Sequence, residues 1–438
     1  MAMEGRMWKL VVVVAVVVVA ALVAEVGNAQ SSPTAPVSRT APYSKTITAG
    51  KNAVPAVVIM TQNYIVSLEG NPCAITIRHL FSNQVAHLLW TANYYVGSVA
   101  GATKCTLTLT SSGDLQLLAL VKGVNKMLWN SKTAGKGIVK MALENKFDSG
   151  DLQLLTAKNE IKYRSFDVKE FAILPTQKLS PGETLVAPNV FFAEDNPQIL
   201  FSGKRYFLKL QGGDLALFSN FGQGLKQYWS LKKTLAKNVD LSQVAYASIV
   251  TSVGGIGLFK NDGKVVWTSG KIGIITSNPH DTYFGVDPDG NLRTYALVKG
   301  QFWSRDFVAI PNLCDLPNAC GQYGVCSNNK CSCLQFWVPN DPKDPTKGCR
   351  TQAPMEACGS GQQQFLYFTG YDQVYNKYAT GLKLSKAACE TKCYGSQPEC
   401  GNCSAYFYDA NTGTCYLTNE VHTLQKVSDS KKTFQVKV

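Results

Sequence analysis

Histidine is scarce: only His79, His87, His280 and His422 occur in 438 residues, scattered along the chain. No His-x-x-Glu-His metal motif, P-loop or Gly-x-Ser-x-Gly elbow is present, which removes the usual sequence signs of metal, nucleotide and acyl-transfer chemistry. Catalytic residues, metal ligands and cofactors are therefore expected to be none, and the chain is read as not an enzyme. Acidic side chains are also short, 30 Asp and Glu against 43 Lys and Arg. An excess of this sign favours polyanions: acidic polysaccharide, a membrane surface or nucleic acid. No dense Lys/Arg block marks nucleic acid, so acidic cell-wall or matrix polysaccharide is the better fit, beside the plain reading of a soluble basic surface.

Long apolar runs are missing too, with one exception. Arg6 and Lys9 precede Leu10–Ala24, 15 apolar residues, and Gly27 and Ala29 follow. That length is short for about 30 Å of hydrocarbon but suits a signal-peptide core. Residues 1–29 are expected to be a cleaved signal peptide, with an uncleaved anchor as the alternative. The tail SDSKKTFQVKV lacks the apolar end of a lipid-anchor signal. The 14 cysteines all lie beyond Gln30, and 12 fall between Cys314 and Cys415. An even, clustered set in an exported chain reads as a disulfide framework. The Cys331-x-Cys333 spacing, with no histidine nearby, argues against zinc.

Residues 30–53 are rich in Ser, Thr, Pro and Ala and read as a flexible leader. From about Val54 to Asp306, short β-branched and aromatic runs alternate with Gly, Asp and Asn, and helical periodicity is lacking. SGDLQLL occurs at Ser112–Leu118 and again at Ser149–Leu155, 37 residues later. Related forms follow at Gly212–Phe218, Val253–Phe259 and Asp289–Tyr295. Trp129, Trp229, Trp267 and Trp303 come at similar distances downstream, with Tyr163 in that place in the second repeat. Units this small cannot bury a core alone, so they are expected to pack round a shared axis.

These Gly-turn strands with aromatic plugs, and LLWTAN at Leu88–Asn93, resemble the bulb-type mannose-binding lectins. YRSFDVKEFAILPTQKLSPGETL, Tyr163–Leu185, resembles the linker of S-locus glycoproteins and lectin receptor kinases. The resemblance implies a mainly β chain with tandem β-prism domains, at 54–175 and 176–309. Next, CDLPNACGQYGVCSNNKCSCLQFWVPNDPKDPTKGC resembles an EGF-like module, placed at 310–352. AIPNL before it lacks the acidic ligands that calcium needs. SKAACETKC, with Ser385 as helix N-cap, sits in a segment that resembles a small α+β PAN/Apple domain, placed at 353–438. The resemblance implies Cys314–Cys326, Cys320–Cys331, Cys333–Cys349, Cys389–Cys415 and Cys393–Cys403, leaving Cys358 for Cys400. Cys73 and Cys105, alone in the first lectin unit, are expected to pair. No kinase segment follows. Asn402 is the one glycosylation sequon, with a cysteine in its middle.

In the bulb lectins, mannose is held by Gln-x-Asp-x-Asn-x-Val-x-Tyr on one strand, because alternate residues share a face. Thr110–Leu118, Phe147–Leu155, Leu210–Phe218 and Thr251–Phe259 match none of these positions. Asp287–Tyr295 alone comes close: Asp289, Asn291 and Tyr295 match, while Asp287 stands for the amide and Arg293 for the small apolar residue. Asp287, Asp289, Asn291 and Tyr295 are thus candidate carbohydrate-binding residues. The Asp-Gly signal reads them instead as a turn, with Leu292 facing the core and Arg293 facing out.

The expected protein is a plant secreted S-domain protein of the apoplast or cell wall. It would bind an extracellular protein, a wall glycan or a receptor ectodomain, without nucleic acid and without stable membrane insertion. The alternative is a lectin of altered specificity toward mannose or acidic glycans.

Overall fold

The computed structural model describes residues 38–437 except 51–52, 62, 82–83, 94–98, 145–149, 170–171, 175–176, 188–204, 222–223, 236–238, 251–252, 270–281, 299–301, 305–306, 352–364 and 395–402. The chain is mainly β. Its first twelve strands are β1 (Ser38–Thr40), β2 (Tyr43–Thr48), β3 (Ala56–Met60), β4 (Tyr64–Gly70), β5 (Cys73–Phe81), β6 (Gln84–Ala92), β7 (Ala102–Leu109), β8 (Leu115–Val121), β9 (Val124–Asn130), β10 (Ile138–Leu143), β11 (Leu152–Thr156) and β12 (Ile161–Arg164). They form three four-stranded sheets, ordered β3-β4-β5-β6, β2-β7-β8-β9 and β1-β10-β11-β12. Period-two alternation turns Leu107, Leu109, Leu115, Leu117, Leu152 and Leu154 into one shared core. The three sheets each send an aromatic toward the others: Trp90 and Trp129 meet edge to face at 5.9 Å, and Trp129 and Tyr163 at 6.0 Å. That is the quadrupole-favoured geometry for rings that close a prism.

The second group is built on the same plan. Its strands are β13 (Ala172–Ile173), β14 (Thr184–Val186), β15 (Tyr206–Gln211), β16 (Asp214–Asn220), β17 (Leu225–Ser230), β18 (Tyr246–Val250), β19 (Gly255–Phe259), β20 (Val265–Thr268), β21 (Thr282–Val286), β22 (Leu292–Val298) and β23 (Phe302–Ser304). The sheets run β14-β15-β16-β17, β18-β19-β20 and β13-β21-β22-β23. Leu179 bridges to Ala247 at the edge of the middle sheet. In both prisms, then, three successive short segments leave the N-terminal side, and each lies along the edge of a different sheet. Phe307 takes the central place beside Trp229 and Trp267, at 6.5 and 6.1 Å. The side chain of Trp303 lies outside the described residues.

This plan corrects two expected boundaries. Part of the 30–53 leader is not a leader: Ser38–Thr40 pairs with β10 and Tyr43–Thr48 with β7. Their Thr and Ile residues suit a strand, and the open sheet edges supply partners for their backbone groups. Likewise Ala172 and Ile173 pair with Gly285 and Phe284, so the second prism begins before 176. The signal segment lies outside the described residues.

Beyond Ile310 come β24 (Gly324–Ser327), β25 (Lys330–Cys333), β26 (Trp337–Pro339) and β27 (Cys349–Thr351). They are followed by β28 (Phe365–Thr369), β29 (Tyr371–Gln373), β30 (Leu382–Lys383), β31 (Ala405–Asp409), β32 (Thr414–Thr418), β33 (Leu424–Lys426) and β34 (Lys432–Lys437). A five-stranded sheet, β28-β34-β31-β32-β30, carries the one described α-helix of this part, Lys386–Tyr394. The Ser385 hydroxyl accepts from the Ala388 N–H at 3.2 Å, and Cys389 and Cys393 of the helix are buried. Disulfides join Cys73–Cys105, Cys314–Cys326, Cys320–Cys331, Cys333–Cys349, Cys389–Cys415 and Cys393–Cys403. Cys358, Cys400 and Asn402 lie outside the described residues. The two cysteine-rich segments are not separate in space, because β24 pairs in parallel with β33 in a sheet ordered β25-β24-β33-β29.

Candidate functional site

The stretch Asp287–Tyr295 joins β21 to β22 through a tight turn. The Gly290 N–H donates to the Asp287 carbonyl at 2.8 Å, and the Asp287 N–H donates to the Asn291 carbonyl at 2.9 Å. Gly290 has φ +86°, and a Cβ there would fall 2.6 Å from the Tyr206 ring. Only glycine meets both demands. The Tyr228 hydroxyl donates to the Gly290 carbonyl from below, and burial pushes the Tyr228 and Tyr206 hydroxyl pKa values up.

Every polar group of the candidate sugar strand is already engaged. Asn291 is buried, and its amide pairs twice with the backbone of Ile310: Nδ2 donates to the carbonyl at 2.7 Å, and Oδ1 accepts the N–H at 3.0 Å. Arg293 is on the outer face, but it is not a solvent cation. Its guanidinium donates to Asp287 Oδ2 at 2.6 Å and grips both oxygens of Asp289 at 2.8 and 2.6 Å. The Tyr295 hydroxyl donates to Asp287 Oδ2 at 2.5 Å. Burial pushes the Asp287 carboxyl up to about 6, against the pull of Arg293 and with Asp289 adding to the rise.

The ring of Tyr295 stacks on Tyr283 at 4.9 Å. Both tyrosines, with Ala172 and Leu174, belong to the core cluster of the first prism. The outer face on which a sugar would have to lie is therefore the face that meets the neighbouring prism. The structure does bring Asp287, Asp289, Asn291 and Tyr295 together, as a network that braces the turn, with the Tyr295 ring packed into the core of the first prism.

The other four units place a different device at the Asn position. Asp114 accepts from Ser131 Oγ and from the Thr133 N–H, both at 3.0 Å. Asp151 accepts from Ser165 Oγ at 3.0 Å and the Phe166 N–H at 3.1 Å. Asp214 accepts from Ser230 Oγ at 2.5 Å and the Lys232 N–H at 2.9 Å. In the fourth unit Gly255 stands there, and Ser269 Oγ accepts the Ile256 N–H at 2.9 Å. Burial raises the Asp114 carboxyl, but hydrogen bonds from Gln116, Thr133 and Ser131 outweigh it and hold the group low. At Asp151 burial wins and the carboxyl is raised. These serines escaped the sequence reading, although each follows an aromatic closely: Trp129-Asn130-Ser131, Tyr163-Arg164-Ser165, Trp229-Ser230 and Trp267-Thr268-Ser269.

Among the described residues, Cys320, Cys326 and Cys331 are the one grouping with metal-ligand proximity. Their sulfurs are in disulfides, so no thiolate is offered. No helix among the described residues is long and apolar enough to cross a membrane.

Residues 259–341 match the S-locus glycoprotein domain. That span runs from the end of β19, through the locked turn, into the cysteine-rich segment. A PAN domain-containing protein of Arabidopsis thaliana is 23% identical over 332 residues, covering 73% of this chain and 62% of that protein. EP1-like glycoprotein 4 of Arabidopsis thaliana is 22% identical over 350 residues, covering 76% and 74%. A G-type lectin S-receptor-like serine/threonine-protein kinase of the same plant is 26% identical over 343 residues, covering 72% of this chain and 41% of the kinase. The chain thus spans less than two thirds of the first and third of these relatives. A solved monomeric monocot mannose-binding lectin from Gastrodia elata aligns over 30% of this chain and 96% of its own, with 16% identity and a TM-score of 0.21. The chain is similar to S-domain plant proteins, and its match to the S-locus glycoprotein domain is confined to residues 259–341.

Proposed function

We propose that the protein is a secreted, non-catalytic recognition protein, acting outside the cell by binding a protein or cell-wall partner through its lectin-like and PAN surfaces. One observation carries this reading: the strand nearest in sequence to a mannose site has its amide, both carboxylates and its tyrosine hydroxyl engaged within the protein. A site must keep donors and acceptors free for a vicinal diol; here the amide is buried, and the Asp289 carboxylate, the most exposed of the group at 28%, is gripped by Arg293. The disulfide framework supports an oxidising compartment. The similarity to an EP1-like glycoprotein and to a lectin-type receptor-like kinase supports an extracellular setting.

The test is a glycan array of mannosides and acidic polysaccharides, probed with the disulfide-intact protein at low and physiological salt. Silence on neutral mannosides is expected. Mannoside binding that disappears in Asn291→Ala, with the fold retained, would establish the lectin reading instead.

A further inference from the structure

The outer face of β2-β7-β8-β9 carries a different set of groups. Register aligns them in three rows: Ser44, Thr108, Gln116 and Asn130; Thr46, Thr106, Leu118 and Met127; Thr48, Lys104, Leu120 and Asn125. Ser44 and Thr108 hydroxyls lie 3.3 Å apart, and Thr46 and Thr106 hydroxyls 2.9 Å apart. One half of the face is thus a hydroxyl and amide ladder, and the other is a low apolar strip on which Met127 is 49% exposed. Lys104 stands on the face and Lys122 in the β8–β9 turn, both exposed, while Lys45 and Lys126, paired with Leu107 and Ala119, belong to the opposite side of the edge strands.

Charge is lopsided over the sheet of this face and its neighbour β3-β4-β5-β6. Residues 43–130 hold six Lys and Arg but only two acids, Glu69 and Asp114, and the prism as a whole, residues 38–164, holds fourteen against six. Glu69 and Asp114 are both buried. Glu69 accepts from Thr76 and pairs with Arg78, and Asp114 is clamped as described. Nothing in residues 43–130 offers solvent a carboxylate to offset the lysines.

We infer that this sheet face is a docking surface for an acidic polysaccharide. The inference rests on the recognition reading above and names a surface and a ligand class for it. A uronate chain brings carboxylates to meet lysines, hydroxyls to exchange with the Ser/Thr ladder, and C–H faces to lie on Leu118, Leu120 and Met127. Nucleic acid fits worse, because Gly101–Leu143 contains no arginine and its single aromatic, Trp129, packs against Trp90 and Tyr163. Stacking platforms and guanidinium forks are what single strands and phosphates use.

The probe is polygalacturonate, read by biolayer interferometry on the full disulfide-bonded protein at about 50 and 150 mM salt, where the Debye length is near 8 Å at the higher value. Saturable binding that weakens with salt is expected, with none to a fully methyl-esterified chain. Lys104→Glu/Lys122→Glu should weaken it about tenfold or more. The control Lys232→Glu/Lys233→Glu changes net charge equally, on exposed lysines of the second prism, and should change it less than about twofold. Thr106→Val, a shape-conserving change, should weaken it further without moving Tm. Equal loss in both double variants would reduce the effect to net charge and overturn the inference. So would tighter retention by duplex DNA or by phosphatidylserine vesicles, or no binding at all. A specific protein partner found without polygalacturonate binding would remove this surface while leaving the recognition reading in place.

Discussion

Arg293 replaces the small apolar residue of a sugar strand with a five-donor fork, and the fork finds two carboxylates rather than solvent. Charge-assisted, bidentate contacts of this kind are the strong class of hydrogen bond. Removing one partner from such a buried set costs more than the bond itself, because the other is left unpaired. Arg293→Val would therefore not restore a sugar pocket; it should lower stability by about 3 kcal/mol or more by stranding Asp287 and Asp289, measurable by urea denaturation. The raised carboxyl of Asp287 has a signed consequence. A folded value of about 6 lies above the ordinary carboxylate range, so the folded protein binds the extra proton between about pH 4 and 6. Its contribution to stability is present at pH 4 and falls as pH rises through 6. Asp287→Asn should flatten that part of the stability–pH curve; an unchanged curve would mean that Asp287 does not titrate there. The candidate residues were legible from their spacing, and so was the turn. What the spacing could not show is that Ile310, 19 residues on, would consume the Asn291 amide, since a long-range backbone partner leaves no local mark.

Short edge strands set the organisation of both prisms. Ser38–Thr40 and Tyr43–Thr48 read as a leader because Pro, Ser and Thr dominate their neighbourhood. They are ordered by pairing with β10 and β7 more than 50 residues away, which composition does not encode. Truncation that begins the chain at Gly50 should expose two sheet edges and lower Tm by about 5 °C or more, since about 1 kcal/mol corresponds to roughly 2–8 °C over this size range. An unchanged Tm would return the segment to the leader. The repeats themselves were plain in sequence, because Gly-Asp-Leu turns and period-two leucines are local signals. The serine clamps on Asp114, Asp151 and Asp214 were less plain, because each serine lies at or just past the end of a later strand, 14 to 17 residues on. Gly290→Ala should lower stability by about 1–3 kcal/mol through its positive φ, and by more if the Tyr206 ring cannot move. A loss confined to a few tenths would show the turn relaxing freely.

At the scale of the molecule, the second prism, the Cys314–Cys349 segment and the C-terminal strands meet around His422. Its ring lies 4.1 Å from Phe221, with Tyr375 beside it, and Arg205 pairs with Glu420 at 3.4 Å. Burial, with Arg205 adding, holds the imidazole down to about 3, and the half-exposed Glu420 at 3.8 Å does not reverse this. Unfolding frees the group to its ordinary value near 6.5. The junction's stability is thus full above pH 6.5 and declines as pH falls toward 3, by at most about 1.4 kcal/mol per unit. His422→Phe, packed on Phe221, should remove that acid loss in pH-dependent thermal unfolding; a retained slope would place the acid sensitivity elsewhere. The mainly β character was legible from the repeats alone. The parallel pairing of β24 with β33, which fuses the last two modules, was not, because neither strand announces its partner.

The most direct measurement is a paired one on wild type and Asn291→Ala: calorimetric titration with methyl α-mannoside, and a thermal melt of each. The expected result is no mannoside heat from either protein and a Tm lowered in the variant, because Asn291 ties the turn to Ile310. Mannoside heat in the wild type, lost in Asn291→Ala at unchanged Tm, would show that the strand reads sugar and that Asn291 does not brace the turn.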